Sequence, residues 1–159
     1  MFSPIQVANK FIELGIASGK PITQMQAQKL TYIAHGVSLG HFSKPLLTDP
    51  ICAWRYGPVI PALYNALKIN GNNKIQSPVK MFDYGLERTV PIDPLNDSLI
   101  KNVYEVYGKY PAETLSNFTH RDGTPWSQAI ASESTIIPDD VIRDYYKGLI
   151  RRDPNCIGL

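Results

Sequence analysis

Three histidines and two cysteines are the first residues of this 159-residue chain to test for chemistry. His35 and His41 stand six positions apart, so on one helix they point in different directions. A zinc site wants converging ligands, typically His at i and i+4 or Cys pairs two residues apart. Neither spacing occurs, and no metal or cofactor is expected. His120 lies in Thr119-His120-Arg121-Asp122-Gly123-Thr124-Pro125-Trp126. Its imidazole suits a general base oriented by Asp122 or Glu113. No Ser or Cys sits beside it as a nucleophile, so the plainer reading is a turn tied by Thr119, His120 and Asp122. Cys52 reads as a small core residue, and spacing gives a Cys52/His120 dyad no support. Glycine-rich phosphate loops are absent. The expectation is a binding protein and not an enzyme.

The densest stretch is Ala53-Trp54-Arg55-Tyr56-Gly57-Pro58-Val59-Ile60-Pro61-Ala62-Leu63-Tyr64. A Gly-Pro step punctuates the chain sharply, because Pro fixes φ and Gly accepts almost any φ. Aromatic rings aimed from such a corner, with an Arg among them, have the composition of an interface anchor. Arg55, Tyr56 and Tyr64 are therefore candidate partner contacts. Trp54, Gly57 and Pro58, with Thr119, His120 and Trp126, are expected to build the scaffold. Near the end, Arg143, Lys147 and Arg151 recur every fourth residue. They make a basic helix stripe that suits the helix dipole, and Arg143 and Lys147 join the candidate contacts for an acidic partner surface. A helix-turn-helix reader of DNA has only Lys29 and the amides Gln24, Gln26 and Gln28 to offer phosphates and bases. Nucleic acid is an unfavoured partner.

Composition agrees. Hydrophobic residues are 43% and charged residues 19%, as in ordinary globular proteins. The net charge of +2 is weak for a nucleic-acid binder. No basic-then-apolar leader opens the chain, two cysteines do not suggest a disulfide scaffold, and no apolar run approaches a membrane span. A cytoplasmic protein of one domain, residues 1–159, with no membrane partner, is the expectation.

The elements follow from caps and periodicity. Ser3 caps and Pro4 opens a helix that Gly19 stops. Thr23 caps a second helix running to about Gly40, with Leu30, Ile33, Ala34 and Val37 as its apolar face. Ile51–Trp54 reads as extended. Pro61 starts a third helix that ends at Gly71. Residues 86–92 suggest an edge strand that pairs with Ile51–Trp54. Further helices are expected over Pro94–Tyr107, from Pro111 to Thr119, from Trp126, and from Asp139 to about Ile150. The fold class is mainly α: a compact bundle of about six helices with at most a minimal two-stranded β element.

Three blocks, in order, carry a resemblance. Ile22 to Gly36 contains Gln28-Lys29-Leu30 and Tyr32. Ile51 to Tyr64 contains Ala53-Trp54-Arg55-Tyr56-Gly57-Pro58-Val59. Leu115 to His120 is followed by Pro125-Trp126. Together they resemble the Panacea domain, a bacterial and phage antitoxin domain also described as SocA-like. Ala27 and Thr31 depart from the apolar residues usual there. The resemblance covers about Phe2 to Ile130. It implies a non-enzymatic antitoxin that neutralises a cognate protein toxin by direct contact, with alarmone-synthetase-like toxins among the family's diverse partners. A protease-adaptor role, a phage-associated interaction adaptor and a DNA-binding regulator of the chain's own operon stay open beside it. Residues 72–94 match none of the family pattern and are a place for partner choice.

Overall fold

The structure is a computed structural model that describes residues 1–88 and 90–154. Cys156 lies outside the described residues. Among the described residues, seven α-helices surround a small amount of sheet: α1 (Pro4–Ala17), α2 (Gln24–Phe42), α3 (Pro61–Leu67), α4 (Pro94–Tyr107), α5 (Ala112–His120), α6 (Pro125–Ala131) and α7 (Asp139–Arg152). The strands are β1 (Ile51–Trp54), β2 (Gly57–Val59), β3 (Phe82–Asp83), β4 (Leu86–Glu87) and β5 (Ile136–Ile137). The mainly α class holds, with slightly more sheet than one pair.

The caps act as the residue types dictate. Ser3 and Gln6 form a reciprocal capping box on α1, and Thr23 and Gln26 form another on α2. Gly19, at φ 72°, ends the first helix in the left-handed region. Helix α2 runs past Gly40 to Phe42 and stops at Ser43. Gly40 serves packing: a Cβ there would lie 2.8 Å from Tyr146 Cβ. Gly36, one turn earlier, makes room for the Tyr146 ring itself. Helix α7 thereby lies closely against α2.

Helix α2 is the hub, in contact with α1, α3, α4, α5, α7 and β2. It is buried all round from Gln26 to Leu39, not along one face. Its polar residues therefore have to find partners inside the protein. Gln26 Nε2 donates to Tyr110 O at 3.0 Å, and Ser38 Oγ donates to Lys44 O at 2.8 Å. His35 Nδ1 accepts from the amides of Leu46 and Leu47, each at 3.3 Å, while Nε2 faces Asp139 Oδ1 at 3.0 Å. An Nδ1 that accepts leaves Nε2 as the donor, so the ring joins the 44–47 loop to the start of α7.

The expected pairing of residues 86–92 with β1 does not occur. Both edges of β1 are taken, by β2 and by β5, in the antiparallel order β2-β1-β5. Leu86–Glu87 pairs instead with Phe82–Asp83, across Tyr84 and Gly85. Both turn residues have positive φ, 48° and 80°. That is the requirement of a tight two-residue hairpin, met here with Tyr where Asn is usual. The turn leaves Phe82, Tyr84 and Leu86 exposed.

Candidate functional site

Strands β1 and β2 form a hairpin in register Cys52↔Val59, Ala53↔Pro58 and Trp54↔Gly57, leaving Arg55 and Tyr56 at its tip. Gly57 has φ 110°, which strains any residue with a Cβ. A Cβ there would also lie 2.8 Å from Lys29 Nζ, 3.1 Å from Thr119 Oγ1 and 3.2 Å from His120 Cε1. The glycine lets three elements close on one point.

What closes on it is mostly main-chain recognition. Lys29 Nζ donates to Tyr56 O at 3.1 Å and to Pro58 O at 2.9 Å. Gln28 clamps the next residues: its Nε2 donates to Ile60 O, and Ile60 N–H donates to its Oε1, both at 3.1 Å. Ser116 Oγ adds a bond to Tyr56 O at 3.2 Å. From α6, Trp126 Nε1 donates to Trp54 O at 2.7 Å. The hairpin is thus held from α2, α5 and α6 at once.

His120 completes the frame. Its Nδ1 lies 2.6 Å from Ser116 O, and its ring meets Trp126 edge-on at 4.2 Å. The imidazole is oriented by a main-chain carbonyl and an indole, not by Asp122 or Glu113. Thr119 is buried and donates to Ser116 O at 2.8 Å. Thr124, not Asp122, closes the following turn, donating to Arg121 O at 2.7 Å.

Lys29 is 2% exposed. Its amine is out of reach of a DNA phosphate, which removes the contact assigned to it in a helix-turn-helix reading. Burial alone pushes its pKa down from 10.5 to about 7. Sequence patterning assigns Lys29 to a solvated face because lysine seldom goes inside unpaired. The signal available was its place between Gln28 and Leu30, beside a wholly apolar stripe.

Held in this way, the hairpin presents aromatic surface. Tyr56 is 63% exposed, Trp54 and Met25 are each 40% and Tyr64 is 38%. The Trp54 and Tyr64 rings meet edge-on at 5.1 Å, and the Arg55 guanidinium lies 5.4 Å from the Tyr56 ring centre. Trp54 therefore has two parts, a carbonyl inside the frame and an open ring. Met25, Trp54, Tyr56 and Tyr64, with Val59, Gln24, Gln28, Lys29 and Ala112, border a cavity of about 260 Å³. A larger groove of about 1010 Å³ lies along α1 and the β3–β4 segment. Asp97, on its wall, is already paired with Lys10 at 3.0 Å and Lys101 at 2.7 Å.

Arg143 and Lys147 are on α7, which packs chiefly on α2 and also on α6. Arg143 Nε is held by Asp144 Oδ1 at 2.9 Å. The two basic residues share a helix with each other and not with the aromatic surface. No group of three or more His, Cys, Asp or Glu side chains is placed to hold a metal ion among the described residues. Among them, too, no helix is long and apolar enough to cross a membrane.

The family model for the SocA-like antitoxin Panacea domain matches residues 27–127. The chain belongs to this family. The match opens in α2 just before Gln28 and Lys29 and ends just past Trp126, so it spans all the groups that hold the hairpin. Antitoxin SocA of Caulobacter vibrioides (strain NA1000 / CB15N) is 29% identical over 151 residues, covering 89% of this chain and 80% of that protein. No solved structure matches. In this Panacea domain the three sequence blocks are one structural device: the first supplies Gln28 and Lys29, the second is the hairpin they grip, and the third braces it through Ser116, Thr119, His120 and Trp126.

Proposed function

We propose that this protein is an antitoxin that neutralises a cognate protein toxin by direct, non-catalytic contact, through the aromatic surface of the β1–β2 hairpin. The observation that carries the reading is the contrast within that hairpin. Its main chain is fixed by side chains from three helices, while the rings of Trp54 and Tyr56, joined by Tyr64 from α3, stay open. Rigid, exposed aromatic groups with an adjacent Arg lose little entropy on binding and supply most of the energy of tight interfaces. Membership of an antitoxin family and the likeness to Antitoxin SocA support the same reading. Arg143 and Lys147 on α7 would form a separate, electrostatic contact.

The test is growth of cells expressing the gene beside this one, alone and together with this chain. Arrest relieved by the chain, with the two proteins co-purifying, is the expected result. Arrest without relief overturns the reading. Following toxin abundance in the rescued cells separates sequestration, which leaves the toxin level steady, from delivery to a protease, which lowers it.

A further inference from the structure

The cavity beside the hairpin has the Lys29 amine in its wall. Its border is mostly apolar, and no Asp or Glu among the described residues lines it. Lys29 Nζ has two carbonyl partners, so one of the three protons of an ammonium is uncommitted. No ion pair reaches it among the described residues. Gln24 shows the complementary want. Its Nε2 donates to Gly71 O at 2.9 Å, which fixes the amide, and its Oε1 is buried without a partner.

We propose that this cavity captures the C-terminal residue of a polypeptide partner. The apolar side chain of that residue lies against Trp54, Tyr64 and Val59. Its carboxylate meets Lys29 and its amide N–H meets Gln24 Oε1. A chain terminus carries all three groups on one Cα, whereas an internal segment brings acid and apolar side chain on different residues and needs two exits. The volume, about 260 Å³, lies just below the range of about 300–1,000 Å³ usual for small-molecule sites and suits a single residue. When the Lys29 stem turns toward the cavity, Tyr56 O keeps the bond from Ser116 Oγ. A carboxylate there makes a charge-assisted bond in apolar surroundings, where such bonds are strongest. That the partner is a protein rests on the antitoxin reading above.

The probes are N-acetylphenylalanine, its C-terminal amide, and the blocked dipeptide acetyl-Phe-Asp-amide, each titrated into the full chain by NMR. The free acid should bind with a dissociation constant on the order of 1 mM, shifting resonances of Lys29, Trp54 and Tyr64. Both blocked compounds should bind at least about tenfold more weakly. The Lys29→Met variant should lose the preference for the free acid. Tyr64→Ala, at an exposed helix position, should weaken all three alike and keep that preference, so the comparison survives if Lys29→Met fails to fold. Equal binding of acid and amide, equal binding of the blocked dipeptide, or shifts mapping away from the cavity would each overturn the proposal. None of these outcomes bears on growth rescue, which decides the antitoxin reading separately.

Discussion

Lys29 has left water without gaining a carboxylate among the described residues, and the cost is visible in its pKa. A fall from 10.5 to about 7 corresponds to a penalty on the order of 5 kcal/mol for holding the charged form in the fold. Between those values the unfolded chain binds the proton that the folded chain releases. Stability should therefore rise as pH climbs from about 7 toward 10. Urea unfolding across that range should show the slope in the natural chain and a much flatter profile in Lys29→Met. Gly57→Ala should cost about 2–4 kcal/mol, because the new methyl meets φ 110° and the Lys29 amine together. A thermal melt of the variant checks it. At this scale the sequence was legible where local chemistry decides, as with Ser3, Thr23 and Gly19 at helix ends. It was not legible at Gln28, Lys29 and His35, whose partners lie far along the chain. A polar side chain that grips a distant main chain and one that faces water have the same spelling.

Among the elements, α2 shows how one misjudged face changes a reading. Leu30, Ile33, Ala34 and Val37 suggest a surface helix with a wet side. Six neighbouring elements instead enclose it, and Gln28, Lys29, Ser38 and His35 become spokes holding the hairpin, the 44–47 loop and α7. Sheet pairing was the least readable part, since register depends on which edges of β1 are free, a property of the whole fold. The contact of α7 with α2 has its own signature. His35 holds the Asp139 carboxyl below its ordinary value by a hydrogen bond. That contribution is present in full above about pH 4, the unfolded value, and is lost as pH falls through the lower folded value. Asp139→Asn should show a shallower loss of stability in acid, measured by melting midpoint against pH. The effect should be small, because the carboxyl is 51% exposed.

For the whole molecule, the proposed neutralisation of a toxin by contact demands tight association, and a nanomolar constant means about −12 kcal/mol. Among the exposed apolar groups of the described residues, two sets stand out: Trp54, Tyr56 and Tyr64, and the Phe82, Tyr84 and Leu86 tip of the β3–β4 turn. The Gly-Pro corner marked Tyr56 and Tyr64 in the sequence as exposed rings, whereas Trp54, read there as scaffold, has an open ring as well. The second set lay in residues 72–94, where no motif marked it. Binding on the hairpin surface should leave the fold indifferent to the loss of its rings, since neither Tyr56 nor Tyr64 belongs to the core. The deciding measurement is a calorimetric titration of the co-purified toxin with the natural chain and with a Tyr56→Ala/Tyr64→Ala double variant, alongside their melting temperatures. The hairpin account predicts binding at least about a hundredfold weaker, roughly 2.7 kcal/mol, with melting nearly unchanged. Equal affinity in a folded double variant would contradict it and place the interface elsewhere.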